Sequence, residues 1–151
     1  PAENNRANER VLEMMREKIG PTGSVIVWNE GFEKGRNKEL AEIHPEYADF
    51  LEDINRRVYD LMLVFKKDYL HPDCFGSASI KKVLPILLPE LSYKNLEIQD
   101  GTMALSEWER STTDSVSQTE RESIRENLLK YCKLDTLAMV EIWKVLRKVV
   151  D

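Results

Sequence analysis

Cysteine is scarce in this chain, with two residues, Cys74 and Cys132, among 151. They lie far apart and form no Cys-x-x-Cys pair. A disulfide framework and a cysteine zinc site are therefore excluded, and a reducing cytoplasm is the simplest setting. Long apolar runs are also missing. The longest, such as VLPILLP, fall far short of the ~20 residues that span a bilayer, so no membrane role is expected. Nor is there an excess of basic charge. A net charge of −5 removes the global positive field of a nucleic-acid-coating protein, yet it leaves room for an acidic site neutralised by metal ions. No signal peptide, internal repeat or low-complexity segment is visible. The first residue, Pro1, is not an initiator Met, which reads as a processed piece or an excised domain.

What is present suits a single domain with a real core across residues 1–151, since 42% of the chain is hydrophobic and 32% charged. Residues 7–20 predict a helix with Val11, Leu12, Met15 and Ile19 on one side, stopped at Gly20-Pro21. The β-branched run at 24–28 predicts a buried strand. Helical character returns up to His44-Pro45 and again from Pro45, with Tyr47, Phe50, Leu51, Ile54 and Val58 at helical spacing. That segment passes into VYDLMLVF, which reads as a helix end or a short strand. Residues 66–79 read as a polar loop, and SIKKVLPILLPEL as a short helix with Ser79 as N-cap and Pro85 limiting its regularity. MALSEWERS predicts another short helix, and TTDSVSQ a mobile loop. Ser117 and Glu120 then form a capping box that opens a last helix over about 118–149. Helix, strand, then mostly helices leaves too few strands for a self-sufficient α/β sheet.

The last helix carries an anomaly. With Ile124 at 0° and about 100° per residue, Ile124, Leu128, Tyr131, Cys132, Met139, Ile142, Leu146 and Val149 form one apolar stripe. Asp135 lands near its centre, one turn after Tyr131. A carboxylate there is costly unless it is paired, hydrogen-bonded or bound to a metal. Its plainest explanation is a structural aspartate bonded to a backbone group, or a local shift of the apolar face. A second cluster lies in VIVWNEGFEKGRNKEL, where a strand runs into Asn29, then Phe32 and Glu33 at a helix start. This places a carboxylate at the carboxyl edge of a sheet, where α/β sites form. Asn29 as helix cap and Glu33 as dipole partner is the structural alternative.

NEGFE and YCKLD together resemble the second and third motifs of the DEDD superfamily of exonucleases, which share the ribonuclease H-like fold. In that superfamily the second motif is strand–Asn-x-x-Phe-Asp at a helix start. The third, in the tyrosine subgroup, is Tyr-x-x-x-Asp on the last helix. From Thr22 onward, including FGSASIKKVLP and LSYKNLEIQDGTMA, the chain more closely resembles an uncharacterised bacterial family, domain of unknown function 2779. Members of that family are found beside RecB-like nuclease domains. Two features depart from the exonuclease pattern. Glu33 replaces the usual Asp, and the first motif, Asp-x-Glu on the first strand, is absent.

The resemblance implies a truncated ribonuclease H-like α/β fold, mostly helical in this chain, taken from a 3′-to-5′ exonuclease acting on DNA or RNA. It implies two Mg²⁺ or Mn²⁺ ions held by carboxylate oxygens. Glu33 and Asp135 would be ligands, Tyr131 would orient the attacking water, and Asn29 would shape the turn. Asp60 in VYDLM reads as a peripheral ligand or a structural cap, with the cap preferred. His44 and His71 read as loop histidines, Lys81 and Lys82 as phosphate contacts or a solvated helix face, with the solvated face preferred, and Trp28, Trp108 and Trp143 as packing residues. Nucleic acid and an adjoining RecB-like nuclease domain are the expected partners, and self-association of the fragment follows from an incomplete sheet. The fragment alone is expected to be inactive. The rival expectation is a degenerate nuclease-like fold serving as a non-catalytic interaction module.

Overall fold

A computed structural model describes residues 2–69 and 71–150. Among these residues helices dominate, and two three-residue strands form a single parallel pair. The helices are α1 (Ala2–Lys18), α2 (Glu30–Ile43), α3 (Ala48–Arg57), α4 (Met62–Lys67), α5 (Ile80–Leu87), α6 (Gly101–Ser111) and α7 (Gln118–Val150). The strands are β1 (Val25–Val27) and β2 (Val58–Asp60). The chain divides into two compact units, Pro1–Val64 and Phe65–Asp151. None of the described helices is long and apolar enough to cross a membrane.

In the first unit α1 ends just ahead of Gly20-Pro21, where the stop signal predicts it. Leu12 is fully buried and packs with Tyr47 and Leu51, while Met15, Leu40, Ala41 and Phe50 lean on this cluster. Val11, assigned to the same apolar side, is exposed. The turn into β1 uses Gly23 at φ +88°, a left-handed conformation that only glycine adopts without strain. Arg57 fastens this turn, donating Nη1–H to the Gly23 carbonyl at 3.1 Å while its Nε bonds Asp53 at 2.9 Å.

The segment VYDLMLVF opens as the short strand β2 and continues into a separate helix, α4; it is not the end of the preceding helix, which stops at Arg57. β1 pairs with β2 in parallel, with Val25 opposite Val58, Ile26 opposite Tyr59 and Val27 opposite Asp60. Parallel strands need a long crossover, and α2 and α3 provide it. Both strands therefore end at the same edge, and that edge is where Asn29 and Asp60 lie.

In the second unit the long helix α7 is covered by α5 and α6. Ser117 and Glu120 close the capping box reciprocally, at 3.1 and 3.3 Å. The buried residues of α7 are Ile124, Tyr131, Ala138 and Ile142, with Asp135 half-buried on the same line. Their steps of seven, four, three and four residues trace a narrower seam than the predicted stripe. Two helices cover only a narrow arc of a third, so Cys132 at the stripe's margin faces solvent, while Val149, in line with Tyr131, is exposed in the last turn of α7. Trp108 and Trp143 are likewise exposed rather than packed in the core.

Residues 112–117 differ from the predicted mobile loop. Arg121, in the first turn of α7, donates to the carbonyls of Ser111, Thr113 and Val116 at 2.8, 2.6 and 3.2 Å. A guanidinium satisfying three carbonyls fixes the segment from one side chain. His44 also departs from its loop assignment. It is buried at the end of α2, with Nδ1 3.3 Å from Glu46 and its ring edge-on to Tyr47.

Two outcomes follow from these bonds. Arg121→Ala is expected to accelerate amide hydrogen exchange across residues 112–117 while the centre of α7 keeps its protection, as read by exchange mass spectrometry. Asp60→Ala, which removes the acceptor of three backbone N–H groups, is expected to cost about 3 kcal/mol or more of unfolding free energy. A urea titration measures it, and an unchanged midpoint would show that water satisfies those donors.

Candidate functional site

The strand–turn–helix motif of the first unit is built on backbone geometry. Asn29 adopts φ 76° and ψ 77°, a left-handed conformation that asparagine tolerates better than most residues. Its carbonyl accepts from the N–H groups of Phe32 and Glu33 at 3.1 and 3.3 Å, closing the first turn of α2. The Asn29 side chain makes no capping bond. That task falls to Asp60, across the strand pair. Asp60 is 5% exposed. Its Oδ1 accepts from Asn29 N–H at 3.0 Å and Met62 N–H at 3.0 Å, and its Oδ2 accepts from Glu30 N–H at 3.1 Å. One carboxylate thus caps the starts of α2 and α4, where the helix dipoles favour negative charge. Glu33 sits half-buried in the first turn of α2. Phe32 is exposed beneath the Arg36 guanidinium, 5.4 Å from its ring centre.

In the second unit, α7 presents Tyr131 and Asp135 one turn apart on its covered seam. The partner of Asp135 is a side chain, not the backbone group expected from the sequence. Tyr93, in a short 3-10 turn at Tyr93–Asn95, donates its hydroxyl to Asp135 Oδ1 at 2.8 Å. The Tyr93 and Tyr131 rings lie 6.0 Å apart. Lys81, near the start of α5, is also displaced from its expected solvated face. It is half-buried, with Nζ 5.3 Å from the centre of the Tyr93 ring and 5.6 Å from that of Tyr131, and it donates to the Tyr131 hydroxyl at 3.4 Å.

Both phenols are held in their protonated forms. Burial pushes Tyr93 well above the ordinary tyrosine range, and its hydrogen bond to Asp135 adds to the effect. Tyr131 is raised to about 12, first by burial and then by the charge of Asp135. At neutral pH the cluster therefore offers two neutral hydroxyls beside the Asp135 and Lys81 side chains. Such a set can orient a water molecule and an anionic substrate, whereas neither phenol can act as a base there.

The structure brings Tyr131 and Asp135 together in the second unit, and Asn29 and Asp60 together, with Glu33 one helical turn on, in the first. Carboxylate oxygens suit Mg²⁺ or Mn²⁺ in kind. In number they fall short, since within either unit no three described His, Cys, Asp or Glu side chains are grouped to hold a metal ion. Two hollows lie away from these residues. One of about 520 Å³ is lined by residues of α2 and α3, including Asn37, Leu51 and Asn55, and another of about 380 Å³ by Glu97, Glu107 and Arg110 among others. Neither is lined by Glu33, Tyr131 or Asp135. Tyr93 escaped the sequence reading. The need of Asp135 for a donor was legible, but nothing periodic marks a tyrosine in a polar turn as that donor.

The family model described as "Domain of unknown function (DUF2779)" matches residues 2–79. Among curated proteins, the chain is similar to uncharacterized protein UU173 of Ureaplasma parvum, at 30% identity over 145 residues, covering 85% of this chain and 21% of that protein. It is similar to uncharacterized protein MG366 of Mycoplasma genitalium at 30% identity over 134 residues, covering 79% of this chain and 20% of that protein. The MG366 homolog of Mycoplasma pneumoniae is 28% identical over 147 residues, covering 87% and 22%. The chain thus spans about a fifth of the length of the curated relatives it matches. No solved structure matches the chain. With the strand–turn–helix of the first unit inside the matched stretch, the chain belongs to the DUF2779 family, a domain of unknown function.

Proposed function

We propose that this chain is part of a ribonuclease H-like, DEDD-type 3′-to-5′ exonuclease domain that hydrolyses phosphodiester bonds of DNA or RNA. The observation that carries the reading is the Tyr131–Asp135 pair. It lies on the covered seam of the long helix α7, with one Asp135 oxygen fixed by the Tyr93 hydroxyl. Among the described residues, the other oxygen takes no hydrogen bond. A half-buried carboxylate with a free oxygen suits ligand work better than scaffolding, for which every acceptor would be occupied as in Asp60. The parallel β1–β2 pair, with Asn29 and Glu33 following β1, supports the same reading from the first unit. Each unit thus contributes one of the two motifs of the resemblance.

In this reading Glu33 in the first unit and Asp135 in the second are each, taken by itself, a candidate metal ligand, and the whole protein would supply the remaining ligands. Divalent ions held by such carboxylates would polarise a water and stabilise the leaving oxygen. Tyr131 holds the attacking water by its neutral hydroxyl. Tyr93 keeps the Asp135 carboxylate in one orientation. Water is partly excluded by the seam of α5, α6 and α7, which strengthens each of these polar contacts.

The test is a nuclease assay on single- and double-stranded DNA and RNA, with Mn²⁺ and with chelator. These 151 residues alone are expected to be inert, and the full-length gene product to be metal-dependent and active. Glu33→Gln and Asp135→Asn in the full-length protein should each abolish activity. Asp135→Asn keeps an oxygen for Tyr93, so its urea midpoint should stay within the scatter of wild type. A full-length protein inert on all four substrates would sink the enzyme reading and leave the interaction module in its place.

Tyr131→Phe is expected to lower kcat by on the order of 10²-fold, the scale of a misplaced reactant. The shape of the pH–rate profile below about pH 10 should not change, because a phenol titrating at about 12 stays protonated throughout that range. An alkaline limb that disappears in the variant would show that Tyr131 acts as a base instead.

A further inference from the structure

Four cationic side chains are half-buried among the described residues, namely Lys34, Arg57, Lys81 and Arg121. Three of them have acceptors that answer their charge. Lys34 pairs with Glu30 at 2.6 Å and Arg57 with Asp53 at 2.9 Å, while Arg121 is satisfied by three carbonyls. Lys81 differs. Among the described residues its Nζ has one neutral phenol oxygen at 3.4 Å and two ring faces, and no carboxylate within ion-pair distance.

Withdrawing an ammonium from water is costly without an anion to meet it. Cation–π contact offsets part of that cost and fixes where the charge sits. The two rings that hold Lys81 are those of Tyr93 and Tyr131, so its charge is anchored to the residues that hold and flank Asp135. A positive charge placed there lacks an anion of its own, and it adjoins a carboxylate that would repel any anionic substrate arriving without a counter-charge.

We propose that Lys81 is the phosphate-contacting residue of this site, taking a non-bridging oxygen of the nucleic-acid backbone. The assignment rests on the exonuclease reading above. Lysine binds phosphate as a point charge, and three donors on one ammonium let it keep the Tyr131 hydroxyl while it meets the phosphate. The same contact carries no information about the base, so it serves position rather than sequence preference. Tyr93 acts here as a positioning residue, supporting Lys81 by its ring and Asp135 by its hydroxyl.

The experiment uses the full-length gene product in chelator, so that binding is read without cleavage. Binding of a fluorescently labelled single-stranded oligonucleotide is followed by anisotropy between about 50 and 200 mM salt. Lys81→Met keeps the apolar stem against the tyrosines and removes the charge. It is expected to weaken binding several-fold and to lower the slope of log affinity against log salt by about 0.7–1, the signature of one lost phosphate contact. Lys81→Arg should restore the slope. A purely structural lysine would instead shift the urea midpoint in Lys81→Met and leave the salt slope unchanged, and that result overturns the proposal. If wild type binds and cleaves but the Lys81→Met slope is unaltered, this inference alone fails. A wild-type protein that neither binds nor cleaves overturns both this inference and the exonuclease reading.

Discussion

Asp60 accepts three backbone N–H groups with its two carboxylate oxygens, and the first unit is arranged around that fact. A carboxylate removed from water must have its lone pairs met, and helix starts have N–H groups without intrahelical acceptors. Joining the two needs solves both at once. It also fixes geometry, because β1 can hand over to α2, and β2 to α4, only where the Asp60 oxygens reach. The left-handed Asn29 is a consequence. Its backbone turns the chain so that its own N–H and that of Glu30 both point at the neighbouring strand. Glu33 then follows in the first turn of α2 by helical geometry alone.

The second unit meets the same constraint with a different partner. Asp135 lies on a seam that two helices cover, and its donor is a hydroxyl rather than the backbone. A phenol is a weaker and less complete solution than three amides. It fixes one oxygen and leaves the other available. The two aspartates therefore differ in kind, although both sit where carboxylates are costly. Asp60 is saturated and suited to architecture, whereas Asp135 is oriented through one oxygen by Tyr93. Lys81 and the two tyrosines complete a compact set of opposite charges and neutral hydroxyls, in which burial keeps the phenols protonated and the ring faces hold the cation.

Membership in the DUF2779 family rests on residues 2–79, which contain the Asn29–Glu33 turn and Asp60 but not Tyr131 or Asp135. The similarity to the Ureaplasma and Mycoplasma proteins extends over most of the chain while covering about a fifth of each relative.

Local chemistry alone determined much of this molecule. The Gly20-Pro21 stop, the Ser117–Glu120 capping box, the strand at 25–27 and the long last helix follow from propensity, capping and apolar spacing, all of which act within a few residues. So does the anomaly of Asp135, since a 3.6-residue period suffices to place a charge on an apolar face. Tertiary structure decided what local rules do not reach. It chose Tyr93 as the partner of Asp135 across 42 residues and Asp60 as the cap of α2 across 30. It drew Lys81 off a solvated face onto two aromatic rings, narrowed the apolar stripe of α7 to the arc its neighbours cover, and tied residues 112–117 to Arg121. Each of these outcomes depends on which group from a distant segment arrives within hydrogen-bonding or packing distance. Sequence spacing encodes the need for such a partner, and only the folded chain names it.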